Sequence, residues 1–480
     1  GSSLVCLEAV KKALPKLGSL ALRLDDAATL SMGVSYARTL RAWRVRFDAV
    51  EDQVKQLGFD DVFVRKWRYY LDYCEAGFAC GHIDVKQIRL EKTDESLAVE
   101  ATEGAHGSKP ITLKDTAIKA VKGVATTAFE RGLLPDFVTR YGIRQLSAQQ
   151  LRHCDDAGRA ANNGEAGLAG SQEKLRETIQ ALLEAPVAVC TSEANEQHYE
   201  VPAEYFLKCL GPRLKYSSCL YPEGSSWSST PLQAAEDAML ELYCKRAELA
   251  DGQSFLELGC GWGSLCLFLA ERFPRSTVVA VSNSNSQREH IMGEARRKGL
   301  GNLEVITADL VDFAPEGHGS AAYDRVLSVE CFEHMKNYEV LFERIHGWLR
   351  PGGKAFLHVF SHREFCYHYE GDDWMTQHFF SGGTMPSHDL FLYFAGRLRV
   401  EGHWWVNGRH YAKTLRAWLA RMDAAKPALW PLFERVYAAA GARRWWNYWR
   451  VFYLACEELF ALGGGDEYGV THILLAKAAP

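Results

Sequence analysis

The chain has 480 residues, of which 47% are hydrophobic and 24% charged, and its formal net charge is −5 at pH 7. These values are typical of a globular protein of about two to four domains and do not indicate a nucleic-acid-binding protein. No run of about 18 apolar residues, no secretory signal pattern and no metal-ligand spacing among the thirteen cysteines occurs, so we expect a cytoplasmic protein without a membrane span or a metal.

An internal repeat lies near the start of the chain. Residues 36–48 (YARTLRAWRVRFD) match residues 411–423 (YAKTLRAWLARMD) at 9 of 13 positions. Four further residues of the first copy match residues of the second. In order, Trp67, Cys74, Glu75 and Phe78 match Trp449, Cys456, Glu457 and Phe460. We therefore predict that residues 1–92 are a partial module that repeats the C-terminal part of the protein.

Polar stretches rich in glycine, alanine and asparagine follow this module. Those at 93–110 and 155–173 are predicted to be linkers or mobile loops, and we assign 93–112 to a linker. Apolar residues at helical spacing predict helices over 112–134 and 173–184. We group residues 113–245 as a helical cap region.

From residue 251 onward, apolar runs rich in β-branched residues alternate with helical segments. Continuous apolar strands with helices between them indicate a parallel sheet that is covered on both faces. LRVEGHWWV (398–406) and THILLAKA (471–478) are two further candidate strands, and the segment between them (411–464) is predicted to be helical. The fold class is therefore α/β.

A glycine loop follows the first of these strands in the stretch FLELGCGWGSL (255–265). Dinucleotide enzymes use G-x-G-x-x-G and place an acidic residue about 20 positions later for the ribose. In this chain the third glycine comes one position early, and the second strand is followed by Asn283 and Gln287. A third strand ends at Asp309, whose carboxylate could accept from an adenine amino group.

This ordered set resembles the class I methyltransferases that use S-adenosylmethionine. The resemblance implies a Rossmann-like, seven-stranded, mostly parallel sheet, with the cofactor-binding core at 246–360 and a substrate-binding insertion plus the C-terminal part of the fold at 361–480. It also implies that the glycine loop holds the methionine end of the cofactor, the tip of the second strand the ribose, and the aspartate the adenine. The residues expected to bind S-adenosylmethionine are Tyr216, Ser217, Gly259, Gly261, Gly263, Asn283, Gln287 and Asp309.

Several longer motifs narrow the resemblance to the branch of the cyclopropane-fatty-acid synthases. FEHMKNY (332–338), DDWMTQHFFSGGTMPS (372–387) and HWWVNGRHY (403–411) are most similar to plant coclaurine-type N-methyltransferases. The resemblance implies transfer of a methyl group to a small aromatic or alkaloid-like amine, which Glu333 and His334 bind and deprotonate with Glu330 nearby. The residues expected to contact the substrate are His358, Phe360, Tyr369, Trp374, Phe380 and Tyr411.

Two other functions remain open at this point. The cyclopropane synthases methylate lipid double bonds and hold bicarbonate with a cysteine, a glutamate, a histidine and a tyrosine. The corresponding positions are predicted to be Ser218, Glu333, His358 and Tyr411, so a serine replaces the cysteine unless Cys219 takes its part. Alternatively, the chain is a non-catalytic assembly module. We expect a small-molecule partner, no nucleic acid and no metal, with membrane contact only for a lipid substrate; a homodimer is one assembly that we consider.

Overall fold

The computed structural model of the chain divides into two units, residues 1–110 and 111–480. It describes residues 22–31, 33–80, 86–92, 130, 132, 134–161, 168–188, 202–314, 322–369 and 374–479. The predicted linker at 93–112 and nearly all of the helix predicted over 112–134 lie outside these residues.

The first unit has the element order strand, helices, strand. Its elements are β1 (Leu22–Ser31), α1 (Gly33–Ala49), α2 (Glu51–Gln56), α3 (Asp61–Ala79) and β2 (Lys86–Lys92). The strands β1 and β2 pair antiparallel. The carboxylate of Asp60 accepts a hydrogen bond from the Phe63 N–H, so it caps the first turn of α3. Ala37, Leu40 and Leu71 are buried and supply the apolar contact that holds α1 and α3.

The second unit begins with a pair of packed helices, α4 (Asp136–Ala161) and α5 (Leu168–Glu184). The helix predicted over 173–184 is therefore confirmed, but the loop predicted over 155–173 is wrong at both ends. A Cβ atom on Gly158 would lie 3.0 Å from the backbone carbon of Gly170. These glycines allow the two helices to approach closely. A prediction from composition cannot distinguish such glycines from those of a loop.

A seven-stranded sheet with its flanking helices forms the rest of this unit. The elements in chain order are α6 (Ala203–Cys209), α7 (Leu232–Arg246), β3 (Ser254–Leu258), α8 (Ser264–Arg272), β4 (Thr277–Ser282), α9 (Asn285–Lys298), β5 (Leu303–Thr307), β6 (Tyr323–Val329), α10 (Tyr338–Trp348), β7 (Leu349–His362), β8 (Tyr367–His368), α11 (Trp374–His378), β9 (Thr384–Met385), β10 (Leu398–Asn407), α12 (Arg409–Ala424), α13 (Lys426–Ala461) and β11 (Tyr468–Lys477). None of the described helices is long and apolar enough to cross a membrane.

The strand order of the sheet is β10-β11-β7-β6-β3-β4-β5. The five strands from β7 to β5 are parallel, whereas β11 runs antiparallel to β7 and β10 antiparallel to β11. The predicted fold class, a Rossmann-like and mostly parallel seven-stranded sheet, is confirmed, and so are the two late strands and the helical segment between them. This topology brings the carboxyl ends of β3, β4, β5 and β6 to one edge.

The core lies on both faces of the sheet, because alternate residues of each strand enter different clusters. Phe255 belongs to the same buried cluster as Trp418 of α12 and Trp449 of α13, while Leu256 belongs to the cluster that contains Phe342 and Ile345 of α10. All six side chains are buried. Burial of both faces explains why the strands read as continuous apolar runs in the sequence.

The antiparallel edge of the sheet has the same element order as the first unit. β10 and β11 flank the helices α12 and α13, just as β1 and β2 flank α1 and α3. α13 is kinked at Ala438, whose φ of 55° and ψ of 158° are not helical. The internal sequence repeat therefore coincides with a repeated strand–helix–helix–strand topology.

Candidate active site

The glycine loop between β3 and α8 has three residues with left-handed backbone conformation. The φ angles are 77° at Gly259, 50° at Gly261 and 85° at Gly263. A Cβ atom at Gly259 would lie 2.6 Å from Cys331 Sγ, and one at Gly263 would lie 2.6 Å from Ile291 Cγ1. No described atom lies within 4 Å of a Cβ placed at Gly261. The outer two glycines are therefore required by packing, while the central one faces open space where a ligand can approach the backbone.

The next two strands place polar groups at the same edge. Gln287 is buried in the first turn of α9, where its Oε1 accepts from Ser282 Oγ at 2.7 Å and its Nε2 has no partner among the described residues. Asp309 follows β5 and accepts from the Val311 N–H at 2.9 Å, and Asn283 is exposed after β4. An unsatisfied buried amide donor beside an open glycine backbone fits the hydroxyl- and carboxylate-bearing cofactor that the sequence predicts.

Replacing Gly261 by alanine tests the role of the central glycine. The φ of 50° disfavours an L-residue by about 1 kcal/mol, and the new methyl group would enter the open space. We expect the affinity for S-adenosylhomocysteine, measured by calorimetry, to fall by about tenfold or more. Gly293→Ala is the matched control, because Gly293 lies inside α9 in open space and its replacement should leave cofactor binding unchanged. Equal affinities of the two variants would contradict this assignment.

Tyr216 and Ser217 are also expected to bind the cofactor. They directly precede Ser218, which contacts Glu330. The Tyr216 ring packs against Phe206 and Trp418, with ring centroids 5.1 and 5.5 Å away. Ser217 Oγ accepts from the ammonium group of Lys215. Both residues lie in the segment between α6 and α7, which is joined through Ser218 to the carboxyl end of β6.

Glu330, the first residue after β6, is the centre of a buried hydrogen-bond network. Its Oε1 accepts from the Ser218 N–H at 3.0 Å and lies 3.1 Å from His358 Nε2, and its Oε2 accepts from Tyr411 Oη at 2.6 Å. The φ of Glu330 is 46°, a conformation that a non-glycine residue adopts at a cost and that is frequent at functional sites. The strained backbone turns this side chain towards β7 and α12.

Two opposing effects act on the ionisation of Glu330. Burial raises its pKa to about 7, while the positive charge of Lys215 and the hydrogen bonds from Tyr411 and Ser218 favour the carboxylate. Lys215 is itself buried, and its Nζ donates to the Ser218 carbonyl oxygen at 2.8 Å. Burial also lowers the pKa of the Lys215 ammonium group. The Glu330 carboxyl group is thus set to titrate close to neutral pH.

Glu333 lies in the short 3-10 turn Phe332–His334 and is fully buried. Its Oε1 accepts from the Phe360 N–H at 2.7 Å, while its Oε2 has no partner in the described part of the chain. Burial and then the nearby charge of Glu330 raise the pKa of Glu333 well above its usual value. Glu333 is therefore a buried carboxyl group with one oxygen that has no hydrogen-bond partner among the described residues.

Three of the four residues predicted to correspond to a bicarbonate site surround a carboxylate of the chain itself. Ser218, His358 and Tyr411 all contact the Glu330 side chain, while Glu333 bonds to the Phe360 N–H. Ser218 contributes its backbone N–H, and its hydroxyl donates to the Cys219 carbonyl oxygen at 3.3 Å.

Cys219 does not replace the missing cysteine of that set. Its thiol lies 3.8 Å from the Ser217 carbonyl oxygen and packs in a small separate cluster with Tyr221 and Ala235. Burial raises the pKa of this thiol to about 12, so it is protonated at neutral pH. A carboxylate occupies the centre of the three donors instead.

Aromatic rings lie around the imidazole ring of His334, the residue that follows Glu333. The ring of Phe380 lies 4.8 Å from that of His334, 5.6 Å from that of Phe360 and 4.8 Å from that of Tyr369. We call Phe360, Tyr369 and Phe380 the aromatic wall. The structure thus brings three predicted substrate residues together beside His334, and two others, His358 and Tyr411, to Glu330. Trp374 packs against Phe379 and Tyr448.

Four further residues of the site were not found from the sequence. Tyr243 Oη and His472 Nε2 each lie 2.9 Å from His358 Nδ1, and the Arg246 guanidinium lies 2.6 Å from His472 Nδ1. The fourth is Lys215. The sequence does indicate His472, because a histidine interrupts the apolar strand THILLAKA. In the pairing of β11 with β7, His472 lies directly opposite His358.

Comparisons with known proteins identify the family of this chain. A family model described as mycolic acid cyclopropane synthetase matches residues 7–88 and 189–466. The chain is 40% identical over 311 residues to (S)-coclaurine N-methyltransferase of Thalictrum flavum subsp. glaucum, covering 63% of this chain and 84% of that protein. It is 35% identical to pavine N-methyltransferase of the same plant, covering 58% and 78% of the two chains.

A solved structure of coclaurine N-methyltransferase, bound to N-methylheliamine and S-adenosylhomocysteine, is similar with a TM-score of 0.68 and 35% identity. The alignment covers 75% of this chain and 99% of that one. The family match spans well over half of the chain, and the relatives share its fold over most of their own length. The chain belongs to the mycolic acid cyclopropane synthetase family and is an S-adenosylmethionine-dependent methyltransferase.

Proposed function

We propose that this enzyme methylates the nitrogen of a small amine that carries an aromatic group. The observation that carries the proposal is a pair of largely buried carboxyl groups: Glu333 is fully buried and accepts from the N–H of Phe360 in the aromatic wall, and the Glu330 side chain is 9% exposed. The named activities of the coclaurine and pavine N-methyltransferases support it. A cationic product requires anionic and aromatic surroundings, and both are present at this site.

The bound cofactor supplies a methyl group on a sulfonium, which a nucleophile about 3–3.5 Å away can displace in line. An amine attacks only through its lone pair, so an amine that arrives protonated must first lose a proton. The available Oε2 of Glu333 can accept an N–H bond from the ammonium group and then its proton. Because the pKa of Glu333 is raised, the carboxylate is a better proton acceptor than an exposed glutamate.

The other residues position the amine and stabilise its charge. In its carboxylate form Glu330 provides a negative charge for the amine, with its own oxygens held by three donors. The ring of His334 and the aromatic wall offer π-faces to the substrate and to the methylated cation. His334 follows the proposed proton acceptor Glu333 in the sequence, and its imidazole ring is expected to orient the amine.

An assay with labelled cofactor separates amine methylation from methyl transfer to a lipid. The purified full chain is offered a tetrahydroisoquinoline amine in one arm and vesicles of unsaturated phospholipid in the other, each with and without bicarbonate. We expect label in the amine product and no dependence on bicarbonate. Label that appears in the lipid only, and only with bicarbonate, would overturn the proposal.

A further inference from the structure

A line of side chains runs from the end of α7 to the buried carboxyl group of Glu330. Arg246 Nη1 lies 2.6 Å from His472 Nδ1, His472 Nε2 lies 2.9 Å from His358 Nδ1, and His358 Nε2 lies 3.1 Å from Glu330 Oε1. Both histidines are fully buried, on the neighbouring strands β7 and β11. Each contact joins one ring nitrogen to the next group, so the line is continuous.

The guanidinium at one end determines the direction of every hydrogen bond in this line. A guanidinium can only donate, so His472 Nδ1 must accept. A neutral imidazole has one donor and one acceptor, so His472 Nε2 donates to His358 Nδ1, and His358 Nε2 then donates to Glu330. Burial, and the positive charges of Lys215 and Arg246, lower the pKa of both histidines, which keeps them neutral.

Without the guanidinium, a second arrangement would be available. Glu330 could take up a proton and donate to His358 Nε2, while His358 Nδ1–H donates to Tyr243 or to His472 and His472 Nδ1–H points towards α7. With Arg246 in place, that arrangement would set two donors against each other at His472 Nδ1. The presence of Arg246 therefore favours the arrangement in which Glu330 is a carboxylate.

The surroundings of Arg246 support a role in this line. Its guanidinium lies over the Trp404 ring, 4.9 Å from the centroid, and no carboxylate within the described ranges lies within 4.0 Å of it. Burial lowers the pKa of Arg246, and no acidic group in the described part of the chain offsets this effect. A half-buried arginine without a carboxylate partner is unfavourable for folding, so its position against a neutral imidazole calls for another explanation.

We propose that Arg246 is a positioning residue that fixes the tautomers of His472 and His358 and so presents the His358 Nε2–H to Glu330. This inference rests on the proposed function only for its effect on turnover. The groups that face Glu330 and His358 from the packed elements are Lys215, Tyr243, Glu333 and Tyr411.

The pH profile of the Arg246→Met variant tests the effect of this residue on Glu330. Methionine keeps the apolar contact with Trp404 but removes the donor and the charge. We expect the acidic limb of kcat/KM to move up by about one pH unit, with activity recovered at higher pH, because protonated Glu330 now finds an acceptor. Arg246→Lys, which retains a charged donor, should move the limb less.

Arg325→Met is the matched control for the loss of a buried guanidinium. Arg325 donates to the carbonyl oxygens of Ala247 and Glu248, close to the end of α7, and does not contact either histidine. Its replacement is expected to lower stability without moving the acidic limb. A purely structural role of Arg246 would lower kcat/KM by the same factor at every pH, and that result would overturn the proposal.

Nitrogen NMR of the ¹⁵N-histidine-labelled full chain tests the tautomers without any turnover. Signals are assigned by comparison with the His358→Gln and His472→Gln variants. We expect Nδ1 of both rings to be unprotonated in the unmodified protein, and at least one ring to change tautomer in Arg246→Met. If the acidic limb moves but the tautomers do not, the effect is one of charge alone and the proposal is wrong. If amines are not methylated at all, the proposed function fails while the tautomer measurement still decides the inference.

Discussion

Replacement of Glu333 by glutamine is expected to lower kcat/KM for amine methylation by about 10²–10⁴-fold, the usual contribution of a positioned proton acceptor. The glutamine amide keeps the size of the side chain and can still accept from the Phe360 N–H. It cannot take a proton from the ammonium substrate. Because the glycine loop is unchanged, calorimetry should find the same affinity for S-adenosylhomocysteine as in the unmodified enzyme.

Glu339→Gln is the control for this variant. Glu339 is exposed in the first turn of α10, six residues further along the chain, and its replacement should leave kcat/KM unchanged. Adding His334→Ala to Glu333→Gln should remove the remaining turnover and still spare cofactor binding. Full activity of that double variant would refute the role given to both residues.

Glu330→Gln is expected to cause a loss of similar size, about 10²–10⁴-fold, and to change the pH profile as well. The pKa of Glu330 is raised to about 7, so the group is a carboxylate above this pH and becomes neutral as the pH falls through it. In the unmodified enzyme kcat/KM should therefore decrease below about pH 7. The glutamine variant lacks this titrating group, so its residual activity should keep only the acidic limb set by Glu333 and the substrate amine, which differs from that of the unmodified enzyme.

Glu236→Gln provides a matched control for the Glu330 variant. Burial raises the pKa of Glu236 to about 7 as well, but its carboxylate accepts from the backbone N–H groups of Arg213 and Lys215. Its loss should lower the unfolding temperature and leave the acidic limb in place. If Glu330→Gln retains the limb of the unmodified enzyme, another group is responsible and the assignment is wrong.

Much of the architecture could be predicted because it depends on local pattern. The apolar strands, the late strand pair and the helix over 173–184 all follow from residue periodicity, which burial of each face enforces. The glycine loop was recognisable because three left-handed positions need glycine at a fixed spacing. The predicted loop over 155–173 failed because the glycines there serve close helix packing.

The network around Glu330 could not be predicted in the same way. His472 and Arg246 are 226 residues apart in sequence and meet only because β11 inserts next to β7 at the sheet edge. The distinction between Glu330 and Glu333 depends on a single positive φ angle, for which the sequence has no glycine to signal it. Side-chain contacts of this kind are set by the completed tertiary structure and leave no periodic pattern.

The strand–helix–helix–strand stretch at the antiparallel edge of the sheet contributes a different part of the site than the strands β3 to β6. The glycine loop, Gln287 and Asp309, which are expected to bind the methyl donor, lie between β3 and β6, whereas Tyr411 and His472, which belong to the network around Glu330, both come from the stretch 398–477. The same topology occurs a second time at 22–92 without a glycine loop. This stretch can therefore be duplicated independently of the segment from β3 to β6. Exchange of this stretch alone would replace two residues of the network around Glu330 and leave Glu333, His334 and the aromatic wall in place.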